Sequence, residues 1–286
     1  MWSLIAIGDA RKVLDDVPLD YIDLMVTSPP YFALKTYSEH PNEISMGSIQ
    51  AYLDDLEVIF GKCFRVLKDG CFACVVVGQY TSKERSYFIP GEVSRLMEKI
   101  GFNYRREHIW LKPKGTQGIW NRGTTQFLKK PFPRNTMINI HHEHVLVFQK
   151  GNVQRIQESD RLTEQEVKEY SWSIWEIPVS RTKEHPAPFP YRIPERLIKM
   201  YSYKDEVILD PFLGSGTTCK AALDLGRDCI GIDVNLGYLP LIRKEIGLTQ
   251  NRLVSPVDFR VVHYDKGERI LLPHEEKQVS KEGCVV

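Results

Sequence analysis

Residues 206–234 read EVILDPFLGSGTTCKAALDLGRDCIGIDV, and the fold follows from how this stretch is divided. Val207 to Leu209 is an apolar run of strand type, and Asp210 to Gly216 is a turn whose glycines let a ligand approach the backbone closely. Thr217 opens a helical segment, TTCKAALDLG, which Gly226 closes, and CIGID is a second strand ending on an acid, Asp233. The separation of 19 between Gly214 and Asp233 is close to the ~20 at which such an acid reaches ribose hydroxyls in nucleoside-binding folds. An adenosine-containing ligand is therefore expected.

The chemistry of the turn narrows that ligand. A phosphate-cradling loop needs a lysine before its hydroxyl pair, which GSGTT lacks, and Cys219 stands where a dinucleotide fingerprint places its third glycine. Asp210 at the strand end repels phosphate but suits an ammonium or sulfonium cation. S-adenosylmethionine meets these demands, with its adenosine on Asp233 and its amino-acid portion near Asp210 and the loop of Pro211, Phe212, Gly214, Ser215, Gly216 and Thr217. A nicotinamide-dependent oxidoreductase is disfavoured on the same grounds. The plain alternative is a purely structural glycine turn.

The α/β alternation continues along the chain. After DLMV, Leu53, Leu56, Phe60, Cys63 and Leu67 recur at helical spacing, and Gly70 predicts the helix end. CFACVVVG is a strand, PGEVSRLMEKIG a helix with Pro90 near its start and Gly101 past its end, and HIWLK and HVLVFQK are two further strands. The expected fold is α/β, a mostly parallel sheet with helices on both faces. A catalytic domain over 1–250 carries two inserts, which compete as the DNA-recognition element. That at 112–140 exceeds an ordinary connection of about 2 to 6 residues, and that at 152–184 holds LTEQEVKEY and SWSIWEIP. A C-terminal extension, 251–286, has one strand-like piece, DFRVVHY, and a frayed end.

Composition bounds the function. The chain has 286 residues, 42% of them hydrophobic, enough for one large domain with its own core. No apolar run reaches the roughly 18 residues of a membrane span, and the N-terminus has no leader pattern, so a cytoplasmic protein is expected. Six scattered cysteines do not make a disulfide framework and are expected as core thiols; His141, His142 and His144 lack a partner at ligand spacing, so no metal is expected. The net charge of +1 divides into +8 over Tyr104 to Arg155 and −7 elsewhere. Such a local excess favours a polyanion, and Arg122, Lys129, Lys130 and Arg134 are the candidate phosphate contacts.

Residues 27–31 read TSPPY. In open α/β folds ligands sit outside the carboxyl ends of the strands, so this exit and the glycine turn are expected to share one rim. Pro29 and Pro30 each fix φ at about −65° and drive the preceding residue out of the helical region. The exit thereby holds Ser28 and the Pro29 carbonyl as acceptors, and Tyr31 as a ring face, for an exocyclic amine on a flat ring. An ordinary proline turn is the bland reading.

TSPPY followed by DPFLGSGTT resembles the amino-methyltransferases of DNA, in the permuted beta subgroup whose catalytic motif precedes its cofactor motif. GIDVN at 231–235, HEHVLVFQKG at 142–151, HPAPFPYRIPERLIKMYS at 185–202 and GDARKVL from Gly8 extend the match over most of residues 7 to 240. The resemblance implies a Rossmann-like sheet of seven strands with one antiparallel, S-adenosylmethionine as methyl donor, a base flipped out of double-stranded DNA, and a restriction endonuclease as a possible partner. It also implies that the 185–202 segment packs over the methionine end of the cofactor. Serine at the first motif position goes mostly with N4 of cytosine, aspartate or asparagine with N6 of adenine; Ser28 favours cytosine and leaves adenine open. An amide or base of RNA or protein as acceptor, and a non-catalytic DNA-binding protein retaining the fold, are the remaining readings.

Overall fold

In the computed structural model the described residues are 1–32, 40–45, 47–81, 86–113, 127–136, 139–153, 156–180, 190–247 and 257–272. In chain order they form β1 (Trp2–Ile7), α1 (Ala10–Val13), β2 (Ile22–Thr27), α2 (Ile49–Val66), β3 (Leu67–Val77), β4 (Tyr80–Thr81), β5 (Ser86–Tyr87), α3 (Ile89–Ile100), β6 (Phe102–Leu111) and β7 (His142–Lys150). Then come α4 (Glu164–Tyr170), β8 (Ile174–Glu176), α5 (Arg192–Tyr201), β9 (Val207–Asp210), α6 (Thr217–Asp224), β10 (Asp228–Asp233), α7 (Leu239–Glu245) and β11 (Asp258–His263).

The main sheet runs β11-β1-β10-β9-β2-β3-β7-β6-β8. Every neighbouring pair is parallel except those of β7, which is antiparallel to β3 and to β6. The mostly parallel sheet with one reversed strand matches the expectation, but it has nine strands among the described residues rather than seven. The extra two are the edges, β11 from the C-terminal extension and β8 from the 152–184 insert. The strand-like DFRVVHY is β11, whereas the three residues of β8 are too short a pattern to read as a strand, and which edge each strand takes is selected by the ladder it finds.

Alternate residues of the central strands enter two cores. Ile22 and Met25 of β2 join Ala73, Val75 and Val77 of β3 on the face covered by α1 to α3, whereas Leu24, Val26, Cys74 and Val76 join the face covered by α5 to α7. Burial on both faces explains why these strands read as unbroken apolar runs. Asp23 is the exception: it is buried, and its carboxylate pairs with Lys68 at 2.6 Å and accepts the Val207 N–H at 3.0 Å.

Two sequence expectations need correction. The second helix ends at Val66, four residues before Gly70, and LKDG already belongs to β3. Gly70 sits at φ +81 where the β2–β3 register shifts, and a Cβ there would lie 2.6 Å from the Val153 carbonyl oxygen, so its glycine serves a strand irregularity and not a helix end. Nor are all the cysteines thiols: Cys219 of α6 and Cys229 of β10 are bonded, while Cys63, Cys71 and Cys74 are free and buried; Cys284 lies outside the described residues. A ten-residue spacing along the chain says nothing of the contact between a helix and the next strand that brings the two sulfurs together.

Candidate active site

β9 and β2 are neighbours, yet the chain runs outward from them in opposite directions, to β10 and β1 on one side and to β3 on the other. This is the switch point at which open α/β sheets leave a crevice beyond their carboxyl ends. A cleft of about 810 Å3, counted to its open mouth, lies there. Ser28, Pro29, Pro30 and Tyr31 from the β2 exit line it together with Pro211, Phe212, Gly214, Ser215 and Asp233 from the β9–α6 turn and the end of β10.

The turn is held by backbone bonds to the acid. Asp233 accepts the Gly214 N–H at 2.7 Å on one oxygen and the Asn235 N–H at 2.8 Å on the other, and Leu213 N–H donates to the Ile232 carbonyl at 2.9 Å. Gly214 and Gly216 take φ of +54 and +90, a region that costs an L side chain strain. Burial, opposed by those two amides, pushes the Asp233 carboxyl up to about 7. Part of Asp233 stays open to the cleft, which tempers the rise.

Asp210 is placed differently from the sequence expectation. It is fully buried and does not line the cleft. One carboxylate oxygen accepts the Thr27 hydroxyl at 2.6 Å and the Phe212 N–H at 3.0 Å, the other the Thr218 hydroxyl at 2.6 Å. Burial raises its pKa to about 6 against the pull of these three donors. It therefore ties the strand residue just before Ser28 to the helix that follows the glycine turn. Gly216 and Thr217 also lie behind the cleft wall: Gly216 caps α6, and Thr217 Oγ1 bonds Ser215 Oγ at 3.0 Å.

On the other wall, Ser28 is half-buried and its hydroxyl has no hydrogen-bond partner among the described residues. The Pro30 carbonyl accepts the Tyr52 hydroxyl at 3.1 Å, which fastens the proline corner to α2. Tyr31 Oη donates to Glu143 Oε2 at 2.6 Å, and Lys112 is ion-paired with the other oxygen of Glu143.

Several lining residues were not singled out as site residues from sequence: Gly8, Asp9 and Ala10 after β1, then Asn42, Glu43 and Ile44, and finally Asn235 and Tyr238. The first group has a signal, an apolar strand, SLIAI, followed at once by Gly-Asp. Asn42 to Ile44 have none, since a loop residue reaches a cleft only through tertiary placement. Asp9 caps α1 and pairs with Arg11 at 2.9 Å. A Cβ on Gly8 would lie 2.7 Å from Cβ of Tyr264, so the chain after β11 packs against this rim.

Of the candidate DNA contacts, Lys129, Lys130 and Arg134 are exposed, and Arg122 lies outside the described residues. Their segment leaves the sheet from the end of β6 and returns at β7, with the Lys112 N–H bonded to the His141 carbonyl at 2.8 Å across its neck. β6 runs parallel to β2 and β3, so this neck stands at the same end of the sheet as Ser28. The second insert is docked on the sheet: Trp175 is buried, and Glu166 and Glu169 pair with Lys199 and Arg196 of α5. Within 185–202, residues 190–202 pack on the body and do not line the cleft, and 185–189 lie outside the described residues. No helix among the described residues is long and apolar enough to cross a membrane.

Comparisons with known proteins agree with this geometry. A family described as DNA methylase, of N6/N4 type, matches residues 22–244. The type II methyltransferase M.MjaI of Methanocaldococcus jannaschii is 30% identical across 92% of this chain and 96% of its own. M.SmaI of Serratia marcescens, also a type II methyltransferase, is 26% identical across 85% of this chain and 90% of its own. Among solved structures, a Thermus thermophilus protein described as a DNA modification methylase, in complex with S-adenosyl-L-methionine, superposes with a TM-score of 0.73 at 27% identity, covering 91% of this chain and 98% of that one. The cytosine-N4-specific PvuII DNA methyltransferase shares the fold, with a TM-score of 0.68 at 22% identity over 89% of each chain.

Proposed function

The chain belongs to the N6/N4 DNA methylase family, and we propose that within it the protein methylates the N4 amine of cytosine in double-stranded DNA. The donor is S-adenosyl-L-methionine. The residues present fit it: among the described residues lining the cleft there are three carboxylates, Asp9, Glu43 and Asp233, and no Lys, Arg or His, a charge balance that suits a cation. Asp233 would hold the ribose hydroxyls, Phe212 and Val234 the flat base, and residues 211–215 the amino-acid end, with Asp210 stiffening that loop from behind. When bound, the cofactor supplies a methyl group activated on a sulfonium.

The observation that carries the reading is Ser28, whose hydroxyl has no hydrogen-bond partner among the described residues and which lines the same cleft as Gly214 and Asp233. An exocyclic amine on an aromatic ring is a poor nucleophile because its lone pair is delocalised. Ser28 Oγ and the Pro29 carbonyl accept its two N–H groups, which draws the nitrogen toward tetrahedral geometry and localises the pair. The nitrogen would take the methyl group as the methyl–sulfur bond breaks to leave a neutral thioether, and would then release one proton to solvent, which its own raised acidity permits; a serine hydroxyl is too weak a base to take it beforehand. Positioning and electrostatics provide the acceleration. A base inside a duplex cannot reach the cleft, so it is extruded at a cost of a few kcal/mol, and stacking on Tyr31 offsets part of that cost.

Its type II relatives support a short recognition sequence, shared with an endonuclease, as the DNA partner. Lys129, Lys130 and Arg134 are proposed to bind its phosphates. The deciding experiment incubates the protein with unmodified DNA and methyl-labelled S-adenosyl-L-methionine, digests the DNA and identifies the nucleoside. Label in N4-methylcytosine is expected; label in N6-methyladenine would replace the cytosine assignment and keep the enzyme class.

A further inference from the structure

The reaction as described uses the Tyr31 ring but not the groups that hold it. Two prolines fix the backbone before Tyr31, yet they leave the side-chain torsions of the ring free. The phenol is pinned from another part of the chain: Tyr31 Oη donates to Glu143 Oε2 at 2.6 Å. Glu143 is the second residue of β7, with 9% of its side chain exposed, and its remaining oxygen is taken by Lys112, whose side chain is 11% exposed. A carboxylate this buried costs several kcal/mol unless paired, so Lys112 and the Tyr31 hydroxyl together hold it in place. Gly78, at the end of β3, places no side chain between the two partners: a Cβ there would meet both, at 3.4 Å from Glu143 Cγ and 3.6 Å from Tyr31 Cε1. Lys112 closes the neck of the segment that carries Lys129, Lys130 and Arg134, through its N–H to the His141 carbonyl at 2.8 Å.

We propose that Glu143, held by Lys112, is a positioning residue for Tyr31: it sets the ring on which the extruded base stacks and ties that ring to the neck of the basic 112–141 segment. The inference rests on the reading of the cleft as a base pocket. It does not make Glu143 a proton acceptor, and no bond to it forms or breaks in the reaction.

The test is a double-mutant cycle on the full chain with Y31F, which keeps the ring and removes the hydroxyl, and E143Q, which keeps the shape and removes the charge. Turnover on unmodified DNA is measured together with the dissociation constant for S-adenosyl-L-methionine and the melting temperature. Each single variant is expected to lower kcat by about tenfold with cofactor affinity kept within about twofold, and the double variant to be no worse than the poorer single, because both act through one hydrogen bond. Losses that multiply, or a Y31F enzyme with wild-type turnover, would overturn the proposal. So would cofactor affinity and melting temperature falling in step with turnover in E143Q, which is the mark of a merely structural role. Should E143Q fail to fold, Y31F alone decides. Y31A separates the two levels: if it turns over normally, the base pocket itself is wrong; if it is inactive while Y31F is fully active, only the Glu143 role fails.

Discussion

The two strand exits that form the cleft solve opposite problems. At the end of β2 the prolines after Ser28 remove backbone freedom, so that side chains, a hydroxyl and a ring, stand at fixed places. At the end of β9 two glycines at φ of +54 and +90 supply freedom that other residues lack, so that the Gly214 N–H bends back onto Asp233 and a ligand meets bare main chain. The first exit works by fixing what it presents, and the second by baring its main chain. Asp210 joins them, because its two oxygens hold Thr27 before one exit and Thr218 after the other. On the proposed reading, the contrast lets a methyl donor and a methyl acceptor, which differ in size and charge, share one rim.

If that division holds, substitutions on the two sides separate turnover from cofactor binding. The largest effect is expected for Ser28→Ala, which should lower kcat by about 100- to 1000-fold, the loss typical of one preorganised hydrogen-bonding group, with the cofactor dissociation constant unchanged in a titration. Asp210→Ala strikes both sides at once. It strands the buried Thr27 and Thr218 hydroxyls and the half-buried Phe212 N–H, and denaturant unfolding should show a loss of about 3 kcal/mol. Asp233→Ala should weaken cofactor binding by about 10- to 100-fold while saturating cofactor restores most of the turnover. Equal losses of kcat and cofactor affinity in both Ser28→Ala and Asp233→Ala would erase the distinction.

Acidity sharpens the comparison further. The folded pKa of Asp233, about 7, lies above its ordinary value of 3.8, so its contribution to stability is complete below the unfolded pKa and is lost as pH rises through about 7. Cofactor affinity runs the other way, since a protonated Asp233 accepts ribose hydroxyls poorly. Between pH 8 and 6 the dissociation constant should rise by about tenfold. Over the same range wild-type stability should improve relative to Asp233→Asn in parallel melts. Opposite trends are the signature, and parallel trends would detach Asp233 from the ligand. The smallest effect is expected outside the cleft: Lys129→Ala or Lys130→Ala should leave cofactor affinity intact and reduce the salt slope of DNA binding by about 1 each.

The glycine unit and the proline corner were legible because each is a local device. Gly214, Gly216, Pro29 and Pro30 act through their own torsions, and the distance along the chain from Gly214 to Asp233 is set by one helix and one strand. Asp210 was legible as a strand-end acid but not in its orientation, which depends on Thr27 arriving from a strand 183 residues away. Glu143 lay in a segment that carries the family resemblance, but neither it nor Lys112 had a legible role, because nothing near either residue announces a tyrosine across the sheet. The helix end read at Gly70 misled because a positive φ serves a strand irregularity as readily as a helix terminus.

By itself the sequence determined the layered α/β class, the glycine turn and the proline corner, since backbone torsions and apolar periodicity are properties of neighbours in the chain. Only the tertiary structure decided which acid faces the cleft, which acid braces the wall and what holds the ring, because those are settled by hydrogen bonds between strands that the chain leaves far apart.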